Sequence, residues 1–205
     1  MKIIAIIIVV ALVMYTIINT LKTKTYQKLV TYLETGDYDL FNQKINQPFI
    51  QFLFPKSSLL DLKFNAALIQ QKKKEAIQYL EALCAMPLTA SQKENYYMKA
   101  FNFFIGITDK KNAKKYLDLI NEGSNDRMKV EANRVYNIYI LKNDKDLEDL
   151  LDEIENMEDQ QKGVNEFLIS LIYKNKKDFK NAKKYEDLSK EHFALVDEKT
   201  AQKIK

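Results

Sequence analysis

The side chains that most often carry catalysis are scarce and isolated in this chain of 205 residues. His192 is the single histidine, so a conventional histidine-based zinc site is excluded and a surface position on a helix is expected. Cys84 is the single cysteine, which excludes an internal disulfide. Its apolar neighbours favour a buried structural thiol, with a reactive nucleophile as the alternative.

Carboxylates are numerous, but they lie among lysines on polar segments that give no sign of the desolvation needed for acid–base catalysis. The four glycines, Gly36, Gly106, Gly123 and Gly163, are far apart, whereas a phosphate-binding loop needs clustered glycines. We therefore predict no enzymatic activity, no cofactor, no metal and no small-molecule substrate.

Four glycines and three prolines are also too few for the frequent turns of a β-sandwich, a barrel or a doubly wound sheet, so the composition predicts an all-α fold. The net charge of +4 comes from 32 basic residues interspersed with 28 acidic ones. The only arginines are Arg127 and Arg134, which argues against a nucleic-acid-binding surface.

An apolar segment begins the chain: the 19 residues from Ile3 to Leu21 contain no charged side chain. As a helix, they would cross about 30 Å of hydrocarbon. No A-x-A-like cleavage site follows, so residues 1–22 are predicted to be an uncleaved transmembrane anchor. A cleaved signal peptide and a buried core helix are the alternatives. Lysines are more frequent after the segment (Lys22, Lys24 and Lys28) than before it, which predicts a cytoplasmic location for the rest of the chain.

Small or apolar residues recur near the start of successive helix-like segments at a nearly constant interval. The positions are Phe41, Ala76, Ala113, Leu147 and Ala182, and their spacings are 35, 37, 34 and 35 residues. Upstream of each lies a second apolar stripe of helical period, such as Leu59, Leu62, Ala66 and Ile69. The pattern predicts about five antiparallel helix pairs, which must stack to bury their apolar faces.

The junctions between paired helices carry a resemblance to a known family. The runs Tyr32…Gly36-Asp37-Tyr38 and Tyr173…Lys177-Asp178-Phe179-Lys180-Asn181-Ala182 resemble the junction of the tetratricopeptide repeat. The resemblance covers residues 23–193 and implies a TPR-like α-solenoid; other α-solenoids stay open.

In that family, the first helices of successive pairs line a concave groove that binds a peptide. The resemblance therefore makes polar residues of the first helices candidates for the groove: Asn65, Asn102, Asn133, Asn137 and Asn165.

Two segments fall outside the repeat. Pro48–Pro55 is apolar and bounded by prolines, so it is predicted to be extended or a single short turn. Its aromatic residues either seal the junction between the first two helix pairs or touch lipid or a membrane partner. Residues 194–205 are predicted to form a frayed or disordered C-terminal tail.

Charge is unevenly distributed along the second helices. Residues 144–159 carry a net charge of −8, while residues 109–116 and 174–184 carry +3 and +5. Either these charges complement one another within the molecule, or the acidic strip recruits a basic segment of a partner. The strip residues are Asp144, Asp146, Glu148, Asp149, Asp152 and Glu153.

Together these features predict a membrane-anchored scaffold that binds a protein partner through a TPR-like groove. Two alternatives from other classes remain. The first is a structural subunit that packs through its transmembrane helix, and the second is an enzyme without recognisable motifs.

Overall fold

The computed structural model of the chain describes the backbone of residues 2–203 and the side chains of residues 11–155 and 157–196. Every regular element in this part of the chain is helical, so the predicted all-α fold class is confirmed. The chain divides into two compact units, Met1–Pro87 and Leu88–Lys205.

The described residues of the first unit form five helices: α1 (Lys2–Glu34), α2 (Tyr38–Ile45), α3 (Pro48–Leu53), α4 (Lys56–Ile69) and α5 (Lys73–Cys84). α3 starts at Pro48 because a proline at the first helical position gives up an N–H that would have no partner there. The core of the unit joins the second half of α1 to α2, α3 and α4. Its buried members are Leu29, Leu33, Phe41, Ile45, Ile50, Leu59, Leu62 and Ala66.

The first half of α1 differs from the rest of the unit, because every side chain from Ala11 to Leu21 is exposed. The predicted span Ile3–Leu21 lies within this helix, and the side chains of residues 3–10 lie outside the described ones. No helix in the part of the chain that the structure describes is long and apolar enough to cross a membrane.

In the second unit, the part of the chain up to Lys203 that the structure describes forms six α-helices: α6 (Ala90–Gly106), α7 (Lys110–Asn121), α8 (Asp126–Tyr136), α9 (Leu147–Glu153), α10 (Asp159–Asn175) and α11 (Phe179–Lys203). A π-helical turn, Asn137–Leu141, continues α8, and a 3-10 turn, Ile154–Asn156, follows α9. Polar side chains at the helix starts accept hydrogen bonds from backbone N–H groups: Thr89 caps α6, Asp109 caps α7 and Asn125 caps α8. α6 packs against α7, and α10 packs against α11.

One junction geometry recurs along the chain. A residue with positive φ ends the first helix of each predicted pair, at Gly36, Gln71, Thr108, Lys142 and Lys177. Each of them lies five positions before one of the residues that recur in the sequence, which are Phe41, Ala76, Ala113, Leu147 and Ala182. The positive-φ residues therefore have the same spacings of 35, 37, 34 and 35 residues. In most of these junctions, the residue that follows the positive-φ residue donates its N–H to the carbonyl five residues before it. The N–H of Asp109, for example, donates to the carbonyl of Phe104.

The α6–α7 and α10–α11 junctions are alike in detail. Asp109 accepts from the backbone and side-chain N–H groups of Asn112, as Asp178 does from Asn181. Stacked rings lie beside both junctions, with centroids 5.6 Å apart for Phe104–Tyr116 and 5.7 Å for Tyr173–Tyr185. Each pair of equivalent residues is separated by 69 positions, which is two repeat periods.

Several local predictions differ from the structure. Pro48–Pro55 contains the six-residue helix α3 instead of extended chain, and Ile50 and Leu53, not its aromatic pair Phe49 and Phe52, are buried there. The helix α11 continues to Lys203, through most of the predicted tail, because no glycine or proline follows Gly163 to end it. Cys84 is half-buried.

Candidate partner-binding groove

A groove of about 730 Å³ lies within the second unit. Its walls come mainly from α6, α8 and α10, which are the first helices of the three predicted pairs in this unit. The 3-10 turn region after α9 closes one side through Glu153 and Met157. The remaining lining residues are Met98, Asn102, Arg127, Val130, Glu131, Arg134, Val135, Gln161, Val164, Asn165 and Leu168.

The groove combines an apolar surface with a polar edge. Val130 and Val164 are 56% and 40% exposed. Together with Met98 and Leu168, they form the apolar part of the lining. At the edge, the Arg127 guanidinium donates to Glu131 over 2.9 Å and to Gln161 over 3.3 Å, which connects α8 to α10. An apolar surface with a few polar groups beside it suits a ligand that buries apolar side chains.

The inner wall contains a bidentate ion pair. Arg134 donates to both oxygens of Glu153 over 2.8 Å, and the two side chains are 11% and 36% exposed. Asn165 Nδ2 adds a third hydrogen bond to Glu153 Oε2, over 3.0 Å. The hydrogen bonds from Arg134 lower the pKa of the Glu153 carboxyl, and the same bonds raise the pKa of Arg134. Both members of the pair are therefore charged at neutral pH.

The structure places the five predicted asparagines in different environments. Asn102 and Asn165 line the groove. Asn133 instead bonds to Asn121 and to the Lys129 carbonyl, and Asn137 is buried with its amide donating to Asp146 over 3.0 Å. Asn65 lies on α4 in the first unit.

The acidic strip does not form a single free surface. Asp144 pairs with Lys176, Asp146 accepts from Asn137, and Glu153 lies in the groove wall. The hydrogen bond from Lys176 lowers the pKa of Asp144. The other members of the strip, Glu148, Asp149 and Asp152, are exposed on α9. Half of the strip is thus engaged within the second unit.

The two arginines of the groove were not predicted as site residues. A signal was present in the sequence, because Arg127 and Arg134 are the only arginines of a lysine-rich chain and lie seven residues apart, about two helical turns. That spacing puts both on one face of α8. Their acceptors Gln161 and Glu153 are 34 and 19 residues away, so pairing could not be foreseen from local pattern.

His192 is not the surface residue that the sequence predicts. Its Nδ1 lies 2.7 Å from Glu166 Oε2 and 3.0 Å from the Leu188 carbonyl, and the Glu166 side chain is only 2% exposed. Nearby, the buried Ser189 hydroxyl donates to the Gly163 carbonyl over 2.7 Å. These contacts join α10 to α11 and lie outside the groove lining. Among the described residues, no cluster of histidine, cysteine or carboxylate side chains is arranged to hold a metal.

The chain matches no known protein family, no curated protein and no solved structure. The groove, the exposed apolar part of α1 and the recurring junction are therefore the observations from which a function is inferred.

Proposed function

We propose that the protein is a non-enzymatic scaffold, held at a membrane by α1, whose groove between α6, α8 and α10 binds a segment of a protein partner. The observation that carries the proposal is the groove itself, a partly apolar surface between the first helices of successive pairs. TPR-like packing of the helix pairs is part of the proposal, and the recurring left-handed junction supports it.

The first half of α1 supports the membrane attachment. Its described residues from Ala11 to Leu21 are predominantly apolar and exposed on every face of the helix, so no protein surface takes them out of water. The hydroxyls of Thr16 and Thr20 donate to the backbone carbonyls of Val13 and Thr16 over 2.8 Å, which satisfies these polar groups within the helix. Both features suit a lipid environment.

The lysines after the apolar run support a cytoplasmic location for the two helical units. Moving the thiol to the end of the chain tests this, with Cys84→Ala combined with Lys205→Cys. A membrane-impermeant maleimide should label the new cysteine only after cells are lysed, while a control protein with an external cysteine is labelled in intact cells. Labelling of the variant in intact cells would place the units on the outer side.

The shape and chemistry of the groove favour a partner segment with two or three apolar side chains. A volume of about 730 Å³ exceeds that of one side chain, and Val130, Val164 and Leu168 supply apolar contacts. Arg127 at the edge keeps much of its guanidinium available, with 76% of the side chain exposed, to bond a carboxylate or carbonyl of that segment.

Site-specific photocrosslinking tests the groove directly. A photoreactive phenylalanine analogue replaces Val130 in the full chain in native membranes, and a control carries the same analogue at Lys111, an exposed position on α7. We expect a discrete crosslinked product from position 130 and none of the same mass from position 111.

A second substitution ties the product to the groove. Val164→Asp introduces a charge into the groove and should remove the crosslink, whereas Phe167→Asp on the same helix should keep it, since Phe167 is 39% exposed and lies outside the lining. Crosslinks that are equal from positions 130 and 111, or that survive Val164→Asp, would refute the groove. If the same analogue at Tyr15 in α1 gives a crosslink while position 130 gives none, a structural subunit is favoured instead.

A further inference from the structure

The short helix α3 presents two unlike faces. Ile50 and Leu53 are 1% and 8% exposed and pack in the core of the first unit. Phe49 and Phe52 lie on the other face and are 55% and 89% exposed. The exposed pair of phenylalanines on this helix, which is bounded by Pro48 and Pro55, offers an apolar surface to a partner outside the unit.

The position of α3 along α1 identifies where that partner lies. α2 follows α1 after a three-residue turn and packs against it, so the chain runs back toward the apolar part of α1. Phe54, directly after α3, lies beside Lys22, Thr23 and Tyr26 around a cavity of about 340 Å³. Those α1 residues are only about 2 to 8 Å along the helix axis from Leu21, where the uncharged run ends.

The charge around α3 is mainly positive. Residues 22–33 and 40–63 contain six lysines and one acidic residue, Asp61. The lysines are Lys22, Lys24, Lys28, Lys44, Lys56 and Lys63. Apolar aromatic side chains next to an excess of lysines are the combination that binds the surface of an anionic bilayer.

We propose that α3 lies in the interface of the same bilayer that holds α1, with Phe49 and Phe52 inserted at the boundary between headgroups and acyl chains. The surrounding lysines bind anionic headgroups. This inference rests on the proposed membrane attachment of α1. Its consequence is that the first unit touches the bilayer at two places, which restricts rotation of the unit about the axis of α1.

Tryptophan fluorescence tests the proposal, because the chain has no tryptophan and each substitution creates a single reporter. The full-length variants are reconstituted into vesicles of phosphatidylcholine and phosphatidylglycerol, with and without brominated acyl chains that quench tryptophan on contact. Phe52→Trp reports on α3. Leu12→Trp reports on the apolar part of α1, and Leu40→Trp, which is 47% exposed at the distal start of α2, serves as the control away from the bilayer.

We expect Phe52→Trp to show a blue-shifted emission and quenching by shallowly brominated lipid, while Leu40→Trp shows neither. Leu12→Trp should be quenched by deeply brominated lipid. If Leu12→Trp is quenched and Phe52→Trp behaves like Leu40→Trp, α3 does not contact lipid and this inference is wrong, although the anchor stands. If Leu12→Trp is not quenched, the membrane attachment itself fails, and the inference fails with it.

Two further variants test the lipid charge and protect against misfolding. Replacing Lys22, Lys24 and Lys56 by glutamine should reduce the quenching of Phe52→Trp, and so should vesicles of phosphatidylcholine alone. Quenching that is insensitive to both would refute the anionic headgroup contact.

The double variant Phe49→Ser with Phe52→Ser should leave the circular dichroism spectrum unchanged, because both side chains are exposed. A loss of helix would contradict the assignment of that face to lipid.

Discussion

At the scale of single residues, the Arg134–Glu153 pair is the feature on which the groove wall depends. Arg134 is buried, with 9% of its surface exposed, and its Nε has no hydrogen-bond partner. The guanidinium therefore depends on the two bonds to Glu153. Removing one member of such a pair leaves the other charge poorly solvated.

Glu153→Gln is accordingly expected to destabilise the second unit by about 1–3 kcal/mol, because the buried guanidinium loses its charged acceptor. The partial exposure of Glu153 keeps the loss below that of a fully buried pair, since water reaches the site. Hydrogen exchange of the α8 and α10 amides measures the local opening free energy. Glu155→Gln, at an exposed position two residues away, is the matched control and should leave exchange unchanged.

The same pair predicts a pH dependence. Folding lowers the pKa of Glu153 below its ordinary value of 4.5, so its stabilisation is complete above that value and is lost as the pH falls through the lowered pKa. The difference in opening free energy between the wild type and Glu153→Gln should therefore be constant near neutral pH and shrink between about pH 5 and pH 3. A difference that does not change over this range would show that the pair does not stabilise the unit through its charge.

The sequence predicts which helix carries each candidate asparagine, but not which other helices its side chain contacts. Asn102 on α6 and Asn165 on α10 line the groove. Asn133 lies on α8 and Asn137 in the π-helical turn that follows it, and hydrogen bonds to Asn121 and Asp146 hold them outside the groove lining. Such contacts depend on how helices meet, and periodicity does not encode them.

At the scale of elements, a residue with positive φ recurs at five junctions between consecutive helices. Gly36 adopts φ of 79° without steric cost, whereas the equivalent positions in later pairs carry Gln71, Thr108, Lys142 and Lys177. A β-branched residue is the least suited of these to positive φ. The positive φ thus recurs at all five junctions, although only the first has the glycine that best accommodates it.

Thr108→Gly should raise the stability of the α6–α7 pair by about 1 kcal/mol, because glycine removes the strain at φ of 58°. Thr31→Gly, on the exposed face of α1, should lower stability by a similar amount, since glycine weakens a helix interior. Hydrogen exchange of α7 and of the second half of α1 measures the two effects. A destabilising Thr108→Gly would mean that the junction does not select for positive φ.

Helix positions were the most predictable part of the fold, since polar breaks and apolar stripes mark where helices begin and end. The π-helical turn at Asn137–Leu141 was not predictable in this way. A π-helical turn contains more residues than an α-helical turn. The side chains that follow it therefore lie on a different face of the helix from the one that the α-helical period predicts. Around this turn Ala132 and Ile138 are fully buried, whereas Val135 and Tyr136 between them are half-buried.

At the scale of the whole molecule, the chain forms two compact helical units, and residues 11–21 of α1 in the first unit are exposed. In the proposed function, the helix holds the groove at a bilayer and raises the local concentration of its partner there. The sequence predicts the anchor from a run of uncharged residues. The partner cannot be predicted from it, because the groove is built from side chains on three separate helices.

Both the proposed function and the bilayer contact of α3 depend on α1 spanning a membrane, so extraction of membranes with alkaline carbonate is the most direct measurement. The full chain should stay in the membrane pellet. Val13→Lys with Ile17→Lys should release it, because each lysine at the centre of a span costs about 3 kcal/mol. The control Gln27→Lys with Thr31→Lys, exposed on the same helix after the apolar run, should stay in the pellet. Release of the wild-type chain into the supernatant would contradict the account.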